Sequence, residues 1–122
     1  MRNNFYSILS VVLILFSSSV FSAEIYSRLI DSDGDYFLVI KGEIIEGDYN
    51  RFLNNINKHR AFPTIIWLSS PGGDVLEAIK IGRVIRDGVI ETGLGIPDSL
   101  EDTCSSSCFL IWSAGVRRPS YP

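Results

Sequence analysis

The spacing of apolar residues changes along the chain between two repeats, and each repeat predicts a different element. Residues 25–30 and 36–40 are short stretches rich in β-branched and aromatic side chains, which is typical of strands. Residues 31–35 hold three aspartates and a glycine and predict a tight turn between those strands. From Asp48 the apolar positions fall three and four apart. This predicts an amphipathic helix that buries Tyr49, Phe52, Leu53 and Ile56.

The second half of the chain shows the same change of period. Residues 64–68 form an unbroken apolar run of strand length, which predicts a strand buried on both faces. A glycine-rich turn then leads to Asp74, which is placed to cap a helix that follows it. Residues 89–95 predict a weaker strand, and residues 109–112 predict a short apolar helix. This order of elements predicts an α/β fold, with a small, mainly parallel sheet, right-handed crossovers and flanking helices.

The amino-terminal segment has the three-part layout of a secretory signal peptide. A positive charge comes first, residues 8–16 are almost wholly apolar, and small residues follow. We therefore predict that residues 1–22 are a signal peptide cleaved after Ser22, that residues 23–122 form one domain, and that the mature protein is secreted or periplasmic. The alternative is an uncleaved membrane anchor, but the apolar core is shorter than the roughly 20 residues that a spanning helix needs.

Charge and composition exclude several kinds of partner. The formal net charge of −3 becomes −4 once the signal segment and its arginine are removed, and the remaining basic residues are scattered. We therefore expect no nucleic acid as a partner, and membrane contact only through the signal segment. His59 and the two cysteines are too few for a zinc site. The glycine of residues 31–35 comes too early for an EF-hand loop, so we predict no metal and no cofactor.

The two cysteines, Cys104 and Cys108, are candidates for a disulfide. An exported chain reaches an oxidising compartment, which favours a disulfide between them. They are one helical turn apart, so a bridge fits sterically only if Cys104 lies outside the helix with a favourable Cβ direction. The sequence leaves open whether this bond forms.

The serines between these cysteines, Ser105, Ser106 and Ser107, can be read in two ways. A hydroxyl at the start of a helix lies beside unpaired N–H groups, which stabilise both a nucleophile and its developing anion. Serine is also a preferred N-cap residue, and capping is the commoner role. In a parallel sheet, this turn and the turn that contains Gly72 and Gly73 lie at the same end. The glycine N–H groups could then hold a carbonyl oxygen while a serine attacks its carbon.

Together these segments resemble a known family. Residues 66–73 read Ile-Trp-Leu-Ser-Ser-Pro-Gly-Gly, and a helix, the Cys-Ser-Ser-Ser-Cys motif of residues 104–108 and the Ser-Ala-Gly of residues 113–115 follow. This order resembles the proteolytic subunit of the Clp protease and the wider crotonase-like superfamily. The likeness is greater to exported bacterial relatives in which two cysteines flank the serine motif and an arginine pair follows, as residues 117–118 do here. It spans about residues 37–118.

The resemblance implies a partial crotonase-like spiral and a role for each site residue. When the Ala-Gly end of the helix is aligned without gaps, the nucleophile of the family falls on Ser106. The oxyanion hole falls on the N–H groups of Gly72, with Gly73 beside it, and Ser107. The implied activity is that of an exported serine hydrolase of the peptidase type, acting on a peptide or protein. Because relatives assemble through this fold, it also implies a homo-oligomer.

The sequence departs from the family in its acid–base residues. Clp-type enzymes have a histidine base some two dozen residues after the nucleophile and a carboxylate later, whereas this chain has no His, Lys, Asp or Glu after Asp102. His59 precedes the strand of residues 64–68, which separates it from the site by roughly 15 Å at about 3.3 Å per residue. We therefore read His59 as an exposed residue at a helix end. We expect a C-terminally truncated, N-terminal part of such a domain that is inactive on its own.

Two other functions stay open at this point. In a non-catalytic module of the same fold, the glycine turn would grip a peptide backbone by strand addition without hydrolysis. A crotonase-type enzyme would use the same N–H pair on a coenzyme A thioester, but export removes the chain from that substrate.

Overall fold

The computed structural model describes residues 22–96 and 103–119, which form one mixed sheet with helices beside it. The strands are β1 (Glu24–Leu29), β2 (Tyr36–Lys41), β3 (Ile65–Ser69) and β4 (Glu91–Leu94). The helices are α1 (Asp48–Asn57), α2 (Val75–Asp87) and α3 (Ser107–Ser113). The α/β class predicted from the apolar spacing is therefore confirmed.

The sheet has the strand order β1-β2-β3-β4 and is not wholly parallel. β2 pairs with β3, and β3 with β4, in parallel, whereas β1 pairs with β2 in antiparallel register. The antiparallel pair follows from the predicted turn, because the Asp31 carboxylate accepts hydrogen bonds from the N–H groups of Asp33 and Asp35. A turn this short can only join antiparallel neighbours.

One face of the sheet carries the hydrophobic core. Leu38 and Ile40 of β2 lie beside Ile66 and Leu68 of β3, and all four are fully buried. Helix residues complete this cluster, among them Phe52, Ile81, Ile85 and Ile111. The prediction that β3 is buried on both faces was wrong for its second face, where Ile65 and Trp67 are only half-buried. Trp67 lies across Gly93 of β4, where a larger residue would clash with its ring.

Helices α1 and α2 begin where the sequence predicts, and polar contacts connect their first turns. Asp74 caps α2 by accepting from the Glu77 N–H at 3.0 Å. The Glu77 carboxylate in turn accepts from the Tyr49 N–H at 2.8 Å, although only 6% of this residue is exposed. This contact fixes the start of α1 against the start of α2, at the end of the sheet where β3 ends.

The boundary between the predicted signal peptide and the domain falls at the edge of the described residues. Residues 1–21 lie outside them, whereas Ala23 is described and is 3% exposed within the core. Within residues 22–96 and 103–119, no helix has the length and apolar content needed to cross a bilayer.

Candidate active site

The candidate site is built on the extension of β3 beyond its last residue. Ser70 donates its N–H to Thr103 O at 2.6 Å and accepts from the Ser105 N–H at 3.1 Å, as one bridge of a parallel ladder. On the opposite edge of this extension, Ser69 O accepts from the Gly42 N–H and Gly73 bridges Ile44. The segment that carries the three serines therefore runs directly alongside the Pro-Gly-Gly turn.

Gly72 lies against the serine motif so closely that a side chain there would force its neighbours to shift. A methyl group on Gly72 would lie 2.7 Å from Ser105 O, 2.8 Å from Ser106 Cβ and 3.0 Å from Ser107 N. Its φ of 101° is also a left-handed value that favours glycine. Residue 106 therefore lies close to the glycine turn, as expected, although α2 and β4 separate the two segments in the chain.

Ser106 has an unusual backbone conformation. Its φ is 54° and its ψ is −128°, in a region that non-glycine residues rarely adopt. It occupies the N-cap position of α3, yet its side chain makes no capping hydrogen bond. Ser105 donates its hydroxyl to Pro71 O at 3.2 Å, and the buried Ser107 hydroxyl has no partner among the described residues. The capping interpretation is therefore wrong for Ser106, whose hydroxyl is on an exposed residue at the sharp turn.

Two neighbouring peptide planes decide which glycine N–H faces the serines. In a trans peptide, a carbonyl and the following N–H point in opposite directions. Pro71 O accepts from the Ser105 hydroxyl, so the Gly72 N–H points away from Ser105 and donates to Ser70 Oγ at 3.0 Å. Gly72 O accepts from the Ile44 N–H at 2.8 Å, so the Gly73 N–H points away from Ile44, toward the edge occupied by residues 103–105.

Of the two glycines predicted as oxyanion donors, Gly73 is the one whose N–H is available. The Gly72 N–H is already satisfied by Ser70, whereas the Gly73 N–H has no acceptor among the described residues. The Ser107 N–H likewise has none there, as expected for the first residue of a helix. The N–H groups of Gly73 and Ser107 are thus both without an acceptor in this part of the described structure.

A disulfide joins the two cysteines that flank the serines. Cys104 lies outside α3, in the bridge with Ser70, and Cys108 lies in the first turn of the helix. Their Cα atoms are 5.2 Å apart. The spacing of the cysteines allows a disulfide only if Cys104 lies outside the helix, and Cys104 does lie outside it. No metal cluster of His, Cys, Asp and Glu occurs within the described residues.

His59 lies at the other end of the sheet, as its position before β3 indicates. Its Nε2 is 3.0 Å from Ser27 Oγ, and its ring stacks on Tyr36 with 3.6 Å between the ring centroids. The prediction of an exposed His59 was wrong, because these contacts leave it half-buried. Tyr36 is 1% exposed and donates its hydroxyl to Ala61 O, and burial raises the pKa of this phenol. His59 is therefore engaged far from Ser106.

No acid–base group contacts Ser106 within the described residues. Asp74, the carboxylate nearest to the glycine turn in sequence, accepts from the Glu77 N–H as a helix cap. Arg117 pairs with Glu91, and Arg118 donates to the carbonyl groups at the end of α3. The arrangement has a hydroxyl and two N–H donors but no base bonded to that hydroxyl.

The part played by Ser70 was not predicted from the sequence. This residue is fully buried and uses its N–H, its carbonyl and its hydroxyl to hold the serine segment and the glycine turn together. Its position in the sequence could have indicated this role, because Ser70 is a polar residue between a buried strand and a Pro-Gly-Gly turn.

Comparisons with protein-family models, with curated proteins and with solved structures each found no match for this chain.

Proposed function

We propose that this chain is an exported serine hydrolase domain of the Clp peptidase type, with a partial crotonase-like spiral. Ser106 is its nucleophile, and the N–H groups of Gly73 and Ser107 hold the oxyanion. The observation that carries the proposal is the position of Ser106, which packs against Gly72 at a left-handed turn between an extended segment and a helix. A strained turn of this kind also carries the nucleophile of α/β-hydrolases.

In the proposed reaction, each group has a separate task. Ser106 Oγ attacks the carbonyl carbon of a peptide, a new C–O bond forms, and the carbonyl π electrons move to its oxygen. The two N–H groups stabilise this oxyanion, and removal of one such donor typically costs about 10²–10³ in rate. The Ser106 proton must pass to a base outside the described contacts, because no described group is bonded to the hydroxyl. The proposal therefore includes a weak reactivity that an added base increases.

A fluorophosphonate probe with added imidazole tests this proposal. Imidazole in the buffer supplies the proton acceptor, and mass spectrometry of peptides locates the adduct. Ser113 is also exposed and lies at the other end of α3, so it serves as an internal control for ordinary serine reactivity. We expect imidazole to raise the rate of labelling at Ser106 to about 100-fold above that at Ser113. This factor is of the order of the rate effect of one oxyanion donor. Ser106→Ala should abolish the adduct, and Ser105→Ala should leave it.

Two results would contradict parts of this proposal. Equal labelling of Ser106 and Ser113 would mean that residue 106 is not an activated position. Fast labelling of Ser106 without imidazole would mean that the chain supplies its own base, against the expectation of inactivity.

A non-catalytic peptide-binding module is the second candidate, and one observation favours it. The nucleophile position lacks a bonded base in the described residues, while the Gly73 and Ser107 N–H groups remain free to bind a peptide carbonyl. Binding of an unstructured peptide library that Ser106→Ala leaves unchanged, with no cleavage by the unmodified chain, would support this function over hydrolysis.

A further inference from the structure

We propose that the Cys104–Cys108 disulfide holds Ser106 in its strained backbone conformation, so that reduction of the disulfide lowers the fraction of molecules in which the site is assembled. This inference rests on the proposed function for its consequence, since the serine that the disulfide controls is the proposed nucleophile. The two cysteines enclose all three serines of the motif.

The two ends of the disulfide are attached to different parts of the fold. On one side, the Cys104 segment is held to the extension of β3 by hydrogen bonds of Ser70 with Thr103 and Ser105. On the other side, Cys108 is fully buried in the core cluster at the start of α3. The bond therefore fixes the distance between the sheet and the helix across the three residues that contain Ser106.

Apart from its packing against Gly72, the strained residue has few contacts that hold it. Ser105 and Ser106 are exposed, so core packing does not fix them. Their carbonyl groups accept from the N–H groups of Cys108 and Phe109, and the Ser105 hydroxyl makes a long, exposed bond to Pro71 O. A residue in such a conformation persists only where its surroundings determine it. Among the described residues, the disulfide is the covalent link that restrains the backbone on both sides of Ser106.

Reduction is a two-electron step with a dithiol as the electron donor. A dithiol thiolate attacks the Cys104 sulfur, which is on the half-buried residue, and the S–S bond breaks with Cys108 as the leaving thiolate. The second thiolate of the reagent then closes its own disulfide and releases the Cys104 thiolate, and both cysteine sulfurs take up protons. Ser106 can then relax to an ordinary conformation, in which it no longer keeps its position against Gly72.

The test compares oxidised protein, protein reduced with dithiothreitol, and protein oxidised again. Fluorophosphonate labelling at Ser106, with imidazole present, is measured in each state, and circular dichroism follows the fold. We expect reduction to slow labelling by about ten-fold. Backbone strain of this kind corresponds to a factor of roughly 5 to 150 in an equilibrium constant, and the expected change lies within that range. Reoxidation should restore the rate. The Cys104→Ser/Cys108→Ser variant should label slowly, with or without dithiothreitol, which controls for other effects of the reagent.

Amide hydrogen exchange keeps the test decisive whatever the labelling shows. On reduction, exchange at the Cys108 and Phe109 amides should accelerate by about ten-fold, while the amides of β3 stay protected. Equal labelling of Ser106 in oxidised and reduced protein would overturn this inference and leave the proposed function standing. If Ser106 never labels faster than Ser113, the proposed function fails, and the exchange data alone decide. Faster exchange then supports the disulfide clamp, and unchanged exchange overturns it.

Discussion

At the scale of single residues, the site depends on mutual constraints between Gly72, Ser70 and Ser106. Gly72 gives the serine motif space, and Ser70 turns the Gly72 N–H inward by accepting its hydrogen bond. The next peptide directs the Gly73 N–H, because its Gly72 carbonyl accepts from Ile44, and this N–H has no acceptor among the described residues. The sequence contained these residues, but it could not show which peptide plane faces the serines, because the answer depends on hydrogen bonds of Ser70 and Ile44.

Substitution of Gly72 by alanine separates steric contact from backbone strain. Gly34 is a matched control, since its φ of 95° is close to the 101° of Gly72 and nothing lies within 4 Å of an added methyl group. We expect Gly34→Ala to cost about 1 kcal/mol in free energy of unfolding, from the left-handed backbone alone. Gly72→Ala should cost about 2 kcal/mol more because of its contacts with Ser105 and Ser106. Urea unfolding measures both, and equal costs would contradict the close contact.

Tyr36 gives the protein a dependence on alkaline pH. Burial raises the pKa of its phenol above the ordinary value of 10.0, so the folded state favours the neutral form. Its contribution to stability is fully present below pH 10 and is lost as the pH rises through the higher folded value. We expect the free energy of unfolding to fall above pH 10, and urea titrations from pH 8 to pH 11 measure it. Tyr36→Phe should remove this part of the decline, and an unchanged slope in that variant would contradict the assignment.

At the scale of elements, apolar spacing predicted each helix and strand, but their ends depended on local geometry. The strand expected over residues 89–95 begins only at Glu91, because Val89 has a φ of 55° and continues the turn that ends α2. The burial of β3 was overestimated because a continuous apolar run does not show whether a second layer covers it. His59 was expected to be exposed, but its stacking on Tyr36 joins residues that are distant in sequence and carries no local pattern.

The link between the β3 extension and α3 should have a measurable effect on stability. In the chain-entropy model, a disulfide that closes a ring from Cys104 to Cys108 contributes about 2 kcal/mol. We expect the Cys104→Ser/Cys108→Ser variant to lose about this free energy of unfolding in urea. Reduced protein should lose a similar amount. A loss in the variant without one in the reduced protein would instead indicate a cost of placing serine in the buried site of Cys108.

At the scale of the whole molecule, the core favours the predicted cleavage after Ser22. Ala23 is 3% exposed and belongs to the core cluster, and its Cα lies beside Gly42. Cleavage after Ser22 would keep this residue in the domain, whereas cleavage after Ala23 would remove it. We expect protein recovered from the medium or periplasm of a secreting host to begin at Ala23, as measured by intact mass. A chain that begins at Glu24 would contradict this assignment.

The ladder between Ser70 and Thr103–Ser105 has a consequence for the order in which the molecule folds. The contacts across this ladder join residues as far apart as Ser70 and Ser105, 35 positions, whereas the disulfide joins residues only 4 apart. Closing a short loop costs less chain entropy than closing a long one, so the cysteine ring can form while the polypeptide is still largely unfolded. When oxidised protein refolds, the ring is already closed, and we expect its docking at the edge of β3 to be slower than the formation of local contacts.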